Sequence, residues 1–327
     1  MPGNGLTGLS NLGNTCYINS CMQILSHTHC LNNVLNNVEK VNNIVDSHLL
    51  VEWNNLRNLM WSKDVTISPG RFIKTIQHVA KAKNNDLFTS FDQNDSAEFF
   101  IFCIDCFHNA LKYKHSIKYN KTENKYMNKG LELTKRTYKQ EFSPVHKLFH
   151  SILITDITSL KHKSLSIKAE HCLLYSLSFF KQTTHTLYEC LDNYFMEEKL
   201  EGDNAWLHEK TNKKIPVFKK TYILYSPEII IIDLKRWVNP YKKIQTLVTT
   251  DLTIDLEKYC IVKDNSSVYE LYGICNHGGG SMGGHYWAYV LNTNGKWYEF
   301  NDTHVKEITT KNIVTSNAYC FFYRKKK

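Results

Sequence analysis

The chain has 327 residues, of which 42% are hydrophobic and 22% charged, with a formal net charge of +9. This composition is typical of a folded globular protein and excludes a disordered or fibrous one. The basic residues are spread along the chain, apart from the terminal run 324–327. We therefore expect neither nucleic acid nor a membrane as a partner. No apolar stretch reaches the roughly 20 residues that a membrane-spanning helix needs.

The chain starts with MPGNGLTGLSNLGNTC, which lacks the basic start and apolar core of a secretory signal. The ten cysteines are therefore expected to remain reduced, without disulfide bonds, in the cytoplasm or the nucleus. The length is sufficient for about two domains, or for one large one, and we expect a monomer.

Helical periodicity dominates the first part of the chain. A first helix is predicted from Cys16, capped by Asn14 or Thr15, and a long second helix over residues 94–112. Between them, apolar positions 49–60 keep the helical period, which is interrupted at residues 68–70 by Ser-Pro-Gly. This part of the chain is predicted to be mostly α.

From about Leu131 onwards, runs rich in β-branched residues predict strands. These runs are SILITDITSL, LLYSLSFF, TYILYS, EIIIIDLKRW, SVYELYGICNH, HYWAYVLN, KWYEFN and AYCFFYR. Asn294-Gly295, between two of these runs, predicts a hairpin turn. The expected fold class is therefore α+β, with a helical lobe packed against a β lobe and a binding cleft between them.

Cys16 is the best candidate for a nucleophile, because the N–H dipoles of a helix N-terminus favour a thiolate. His285 follows Gly283-Gly284 at the start of a strand, and Asn301 and Asp302 end the next strand of the hairpin. A side-chain oxygen there could orient the imidazole. Taken alone, each residue also fits a structural interpretation, as a core cysteine, a strand histidine or a turn residue.

Four segments carry a resemblance to a known family. GLSNLGNTCYINSCMQIL resembles the cysteine box of ubiquitin-specific proteases, and GGHYWAYVLNTNGKWYEFNDTHV resembles their histidine box. FDQNDSAEFFIFCID and IIIIDLKRW are similar to two further boxes of this family, and all four occur in the family's order. The resemblance covers nearly the whole chain and implies a papain-like helical thumb, a β palm and an extended β fingers region. On this map the thumb spans 1–130, the fingers 131–225 and the palm 226–327.

The resemblance also implies roles for individual residues. Cys16 would be the nucleophile, His285 the general base, Asn301 the residue that orients the imidazole and Asn11 an oxyanion donor, with Asp302 sharing the orienting role. The substrate tail, which carries arginines and ends in Gly-Gly, would bind between thumb and palm. The residues matched to that channel are Gln93, Asp95, Glu98, Gly283, Gly284 and Tyr286.

Many relatives hold zinc with two Cys-x-x-Cys pairs at the tip of the fingers. The matching positions here are Ser159, His162, His208 and Thr211, and Ser and Thr are poor zinc ligands. The remaining Cys-x-x-Cys, Cys103 to Cys106, lies within the second predicted helix and is expected to pack in the core. The sequence thus predicts no metal and no cofactor.

The function implied is that of a cysteine protease that removes ubiquitin from proteins through a thioester intermediate. Ubiquitin and ubiquitinated proteins would then be its partners. One alternative is a ubiquitin-binding module without catalytic activity, which the intact set of Cys16, His285 and Asn301 disfavours. Another is the same chemistry on a ubiquitin-like modifier, which the acidic pair Asp95 and Glu98 does not exclude.

Overall fold

The computed structural model describes residues 4–179, 184–209, 211–239, 241–263, 267–280 and 283–326. The helices in these residues are α1 (Cys16–Ser26), α2 (His29–Asn36), α3 (Val45–Met60), α4 (Gly70–Ala82), α5 (Ser96–Leu111), α6 (Lys125–Glu141), α7 (Pro144–Phe149) and α8 (Leu187–Tyr194). No helix among the described residues is both long and apolar enough to cross a membrane.

The strands of the first half and of the fingers are β1 (Gly8–Leu9), β2 (Thr66–Ile67), β3 (Ser151–Ser159), β4 (Ser164–Cys172), β5 (Leu174–Leu177), β6 (His185–Thr186), β7 (Glu198–Leu200), β8 (Trp206–His208), β9 (Lys213–Ile215) and β10 (Val217–Tyr225). The remaining strands are β11 (Ile229–Leu234), β12 (Trp237–Asn239), β13 (Lys242–Lys243), β14 (Val248–Thr249), β15 (Thr253–Asp255), β16 (Val268–Gly280), β17 (Gly283–Leu291), β18 (Trp297–Asn301), β19 (His304–Ile308) and β20 (Ala318–Lys325).

The thumb is built around α1 and α5, which are apolar on most of their surface. Every residue of α1 is buried, because this helix packs against α5 on one side and against β17 and β16 on the other. α3 packs between α4 and α5, with Trp53 fully buried at the centre of these contacts. The burial of α1 places the first residue of the helix, Cys16, where the thumb meets the β lobe.

The palm is an eight-stranded sheet with the order β19-β18-β17-β16-β20-β11-β5, and β15 pairs with β16. The predicted hairpin is confirmed: β17 and β18 are antiparallel neighbours, and Gly295 in their turn has a φ of 77°. Glycine adopts this left-handed conformation without the steric cost that other residues incur. The hairpin brings the end of β18 close to the start of β17.

The fingers contain a four-stranded antiparallel sheet with the order β4-β3-β10-β7, and β8 and β9 form a separate two-stranded ribbon. The prediction that β structure begins near Leu131 is wrong, because α6 and α7 extend the helical part to Phe149. The polar sequence of α6 hides its helical character, since only Gly130 and Leu133 are buried. Strand structure therefore begins at Ser151. The predicted strand LLYSLSFF is present as β5, and its last residue lies outside the described residues.

Candidate active site

Cys16 is the first residue of α1, as predicted, and only 2% of its surface is exposed. Thr15 occupies the N-cap position, but its side chain does not cap the helix. Its hydroxyl instead accepts a hydrogen bond from the Leu12 N–H at 3.0 Å. The backbone N–H groups in the first turn of α1, where the thiol lies, therefore receive no hydrogen bond from a capping side chain.

The sequence predicts that the N-terminus of α1 favours a thiolate at Cys16, and in the structure burial of the side chain opposes this effect. Burial raises the pKa of the thiol, and the nearby Asp302 carboxylate adds to this effect. Hydrogen bonds from the Tyr286 and Gln93 groups act in the opposite direction but do not outweigh burial. In the unliganded protein, Cys16 is therefore held as a neutral thiol that needs a base.

His285 lies in the third position of β17, and Asn301 is the last residue of β18. The Nε2 of His285 is 2.7 Å from the Oδ1 of Asn301. Since the amide oxygen can only accept, Nε2 carries the proton, and Nδ1 is left as the basic nitrogen. The structure therefore brings His285 and Asn301 together in the way that the sequence predicted.

No hydrogen bond joins the Cys16 thiol to the His285 ring among the described residues. The thiol instead lies within hydrogen-bonding reach of the Gln93 side chain and of the Tyr286 and Tyr17 backbones. Catalytic hydrogen bonds are often long in unliganded enzymes and shorten when substrate binds. The nucleophile and the base thus lie on packed elements, α1 and β17, without a hydrogen bond between their side chains.

Asn11 and Asp302 are held together beside the thiol. Asn11 Nδ2 donates to Asp302 Oδ2 at 3.0 Å, and Asn11 Oδ1 accepts from the N–H groups of Gly13 and Thr15, each at 3.1 Å. The other Asp302 oxygen accepts from Asn19 at 2.8 Å. The side-chain contact with the imidazole is therefore made by Asn301, whereas Asp302 fixes the Asn11 amide. One Nδ2 proton of Asn11 is left for an oxyanion.

Gln93 and the glycines predicted to line the channel do lie next to the thiol. Gln93 Nε2 donates to the Gly284 carbonyl at 2.7 Å. A Cβ on Gly284 would be 2.3 Å from the Nε2 of His277, so no side chain fits there. Gly283 has open space in the corresponding position. The Tyr286 side chain is only 3% exposed, so the contact of this residue with the site is through its backbone.

Asp95 and Glu98 are in different environments, although they are three residues apart. Asp95 is the N-cap of α5, where its Oδ1 accepts from Ala97 N–H at 2.7 Å and from Glu98 N–H at 3.2 Å. Its other oxygen accepts from the Tyr319 hydroxyl. The Glu98 side chain is exposed. Of the two acids predicted to bind the tail, Glu98 is the one with a solvent-facing carboxylate.

The positions matched to zinc ligands have other contacts. His162 stacks on Phe218 with a ring distance of 4.9 Å, and Thr211 hydrogen-bonds to His208 Nδ1 at 3.0 Å. Cys103 and Cys106 are fully buried in α5. Within the described part of the chain, no three His, Cys, Asp or Glu residues are arranged to hold a metal ion.

Three residues of this region were missed by the sequence reasoning. Asn19, one turn along α1 from Cys16, fixes Asp302. Lys243 and His277 are hydrogen-bonded to each other behind Gly284. The signal that could have drawn attention to His277 is the second histidine in the glycine-rich stretch, eight residues before His285.

A buried thiol at a helix start, next to a strand histidine oriented by an asparagine, defines the site of a cysteine-dependent hydrolase. The family model for ubiquitin carboxyl-terminal hydrolase matches residues 7–323 of the chain. The chain therefore belongs to the ubiquitin carboxyl-terminal hydrolase family, which confirms the resemblance seen in the four boxes.

Individual relatives agree with this assignment. Ubiquitin carboxyl-terminal hydrolase 2 of Bos taurus is 30% identical over 98% of this chain and 55% of its own length. The protein of the same name from Gallus gallus is 30% identical over 98% of this chain and 93% of its own length. A probable ubiquitin carboxyl-terminal hydrolase from Acanthamoeba polyphaga mimivirus is 26% identical over 98% of this chain and 90% of its own length. The chain thus spans only about half the length of several relatives.

Solved structures show the same fold. A SAGA DUB module bound to monoubiquitin superimposes with a TM-score of 0.75 at 22% identity, covering 100% of this chain and 71% of that chain. A second SAGA DUB module, bound to ubiquitin aldehyde, superimposes with a TM-score of 0.75 at 23% identity, covering 100% of this chain and 70% of that chain. The predicted α+β architecture is therefore confirmed.

Proposed function

We propose that this chain is a deubiquitinating cysteine protease, which hydrolyses the bond after the C-terminal glycine of ubiquitin. The observation that carries this proposal is the placement of Cys16 at the open N-terminus of α1, beside a His285 whose tautomer is fixed by Asn301. Membership of the ubiquitin carboxyl-terminal hydrolase family supplies the substrate class. Ubiquitin and ubiquitinated proteins are the partners that follow.

In the first half-reaction, His285 Nδ1 takes the proton of the Cys16 thiol, and Sγ attacks the carbonyl of the terminal glycine. Because burial raises the pKa of the Cys16 thiol, the attack depends on this proton transfer. No hydrogen bond joins the thiol to the imidazole among the described residues, so the two groups have to come within hydrogen-bond distance as substrate binds. The hydrogen bond that His285 Nε2–H donates to Asn301 Oδ1 then stabilises the imidazolium that forms. The protonated ring gives its proton to the leaving lysine amine, and a thioester remains on Cys16.

The negative charge of the tetrahedral intermediate needs donors beside Sγ. Asn11 supplies its second Nδ2 proton, because Asp302 has already fixed the orientation of the amide. The open N-terminus of α1 supplies backbone N–H groups. A single side-chain donor of this type contributes about 3 kcal/mol to transition-state stabilisation. In the second half-reaction, His285 activates water, which hydrolyses the thioester by the same route.

The test is release of a fluorophore from the C-terminus of ubiquitin by the wild-type chain and by Cys16→Ala. Cys21→Ala is the matched control, because Cys21 is a second buried cysteine of the same helix. We expect turnover by the wild-type and control proteins and none by Cys16→Ala. Turnover by Cys16→Ala would remove the proposed nucleophile.

The same assay separates the alternatives. A protein that binds ubiquitin but shows no turnover would be the binding module without activity. A protein that neither binds nor hydrolyses ubiquitin, but hydrolyses a ubiquitin-like modifier carrying the same fluorophore, would have the same chemistry with another substrate. A location inside the cell and a monomeric state, both expected from the sequence, stay predictions.

A further inference from the structure

A half-buried lysine and a buried histidine form a pair behind Gly284, one of the residues predicted to line the substrate channel. Lys243, the last residue of β13, places its Nζ 2.6 Å from the Nδ1 of His277 and 2.6 Å from the His277 carbonyl oxygen. Only 2% of the His277 surface is exposed, and Lys243 is half-buried. This Lys243–His277 pair thus joins the β12–β13 hairpin to the middle of the palm.

The lysine determines the state of the imidazole. Burial, together with the nearby Arg236, lowers the pKa of Lys243 to about 8, so the lysine is mainly an ammonium group at about pH 7.5 and below. An ammonium group has donors and no acceptor, so Nδ1 of His277 then accepts and the ring proton resides on Nε2. Tyr286, Tyr319 and Trp237 surround the ring, with ring distances of 4.4, 5.8 and 6.0 Å. The ring therefore has one tautomer and one orientation.

The imidazole in turn fixes the backbone of the channel wall. Its Nε2 occupies the space in which a Cβ of residue 284 would lie, so the ring rests against the Gly284 backbone. The carbonyl of Gly284 accepts from Gln93, whose side chain also reaches the Cys16 thiol. The next residue along the chain is His285. Gly284 is thus held between the His277 ring on one side and Gln93 on the other.

We propose that Lys243 is a positioning residue for the hydrolysis: through His277 it holds the Gly283-Gly284 wall in the shape that admits the glycine end of the substrate. This proposal rests on the proposed function for its substrate, whereas the pair itself is a feature of the unliganded fold. Without Lys243, the ring can rotate and protonate, and the wall adopts the binding shape only part of the time. The apparent affinity falls in proportion to that fraction.

The charge of Lys243 makes the protonation of the His277 ring depend on the pair. Burial lowers the pKa of His277 to about 4, and the cation of Lys243 and the nearby His285 contribute to this shift. The phenols of Tyr286 and Tyr319 also face the ring, and the Tyr319 hydroxyl donates a hydrogen bond to Asp95 of the thumb. The guanidinium of Arg236 acts on the lysine of the pair. Removal of the Lys243 cation therefore lets the ring protonate at a higher pH.

The experiment measures kcat and KM on fluorogenic ubiquitin for Lys243→Met, with Lys242→Met as the matched control because Lys242 is the exposed neighbour in β13. We expect Lys243→Met to raise KM about tenfold and to change kcat by less than about twofold. This is the result if the fraction of the protein whose channel wall has the binding shape falls about tenfold. Lys242→Met should behave as the wild type. The KM ratio of Lys243→Met to wild type should grow as the pH falls from about 7.5 to about 5.5. A wild-type KM for Lys243→Met, or a ratio that does not depend on pH, would overturn the proposal.

A double-mutant cycle tests whether Lys243 acts through His277. In a His277→Asn background, Lys243→Met should have no further effect beyond about twofold. Effects that multiply would show that the lysine contributes independently and would contradict the proposal.

The pair can also be tested without turnover. Nitrogen NMR of the histidine rings in the wild-type protein should show His277 as the neutral Nε2–H tautomer down to about pH 5.5. A ring that titrates near its ordinary value would overturn the proposal, whether or not ubiquitin is hydrolysed. A wild-type chain with this signature but no turnover would instead remove the proposed function and leave the pair in place.

Discussion

Two helices start at the cleft, and they differ in whether a side chain caps the N-terminus. At α1, the N-cap residue Thr15 gives no side-chain bond to the helix, and the first helical residue is Cys16. At α5, the N-cap residue Asp95 accepts from two N–H groups of the helix. Capping bonds of this kind stabilise a helix by about 1 kcal/mol, and α1 lacks them.

The difference separates a terminus used for chemistry from one used for structure. The open end of α1 leaves backbone donors for the charge that develops on the substrate oxygen. The closed end of α5 has its donors satisfied by Asp95, whose second oxygen is taken up by Tyr319. An acid at the mouth of a cleft is therefore not automatically a substrate-binding residue.

The largest effect is expected from Asn11→Ala. This substitution removes the side-chain donor at the open terminus, and kcat should fall by about 10²- to 10³-fold with little change in KM. The measurement is steady-state hydrolysis of fluorogenic ubiquitin, with Asn58→Ala on the exposed face of α3 as the control. A decrease confined to KM would place Asn11 in substrate binding instead.

Asn301→Ala should have the next largest effect, because the His285 ring then loses the acceptor for its Nε2 proton. We expect kcat to fall about tenfold to a hundredfold, a part of the 10²- to 10⁴-fold that a positioned base supplies. Asn301→Asp keeps an acceptor and should retain most of the activity. If Asn301→Ala were as active as the wild type, Asp302 would have to orient the ring.

At the closed terminus, Asp95→Ala should lower the free energy of unfolding by about 1 to 2 kcal/mol, because the α5 cap is lost. Glu98→Ala, in the first turn of the same helix, should lower it by less, about 0.5 kcal/mol, because this exposed acid interacts only with the helix dipole. Urea denaturation of both variants measures this difference. Equal stabilities for the two variants would show that the cap contributes nothing.

Glu98→Ala should mainly affect substrate binding, raising KM for ubiquitin a few-fold, since an exposed ion pair contributes about 1 kcal/mol or less. The increase should become smaller at high salt, which screens an exposed carboxylate. The matched control is Asp92→Ala, an exposed acid of the preceding loop. A KM for Glu98→Ala that equals that of the control would remove Glu98 from the channel.

The open terminus does not by itself produce a thiolate, and this can be measured by alkylation. Because burial raises the pKa of Cys16, the thiolate fraction at neutral pH is small and grows only at alkaline pH. The rate of Cys16 modification by iodoacetamide, followed by mass spectrometry, should therefore still be rising at about pH 9. A rate that is already constant by about pH 7 would contradict the burial effect.

The sequence predicted the elements whose local signals are strong. The apolar stripe placed the start of α1 at Cys16, and Asn294-Gly295 predicted the hairpin that brings Asn301 to His285. By contrast, α6 was missed because its sequence is polar and its burial is confined to Gly130 and Leu133. Family motifs predicted the site residues, among them His285 and Asn301, which the structure brings together. Both kinds of signal depend on neighbouring residues along the chain.

The roles that were not predicted depend on contacts between distant parts of the chain. Asp302 bonds to Asn11 and Asn19 across 291 and 283 positions, and Lys243 reaches His277 across 34. Asp95 could be recognised as a helix cap, but its second bond, to Tyr319, spans 224 positions. The burial that raises the Cys16 pKa is likewise a property of the assembled cleft. No pattern along the sequence contains these distances.

The most direct test of the account is covalent capture with ubiquitin that carries an electrophile in place of its C-terminal carboxylate. We predict a one-to-one adduct whose cross-link maps to Cys16 by peptide mass spectrometry, and no adduct with Cys16→Ala. His285→Asn should form the adduct much more slowly, because the neutral thiol then lacks its base. An adduct on another cysteine, or the same yield from Cys16→Ala, would contradict the account.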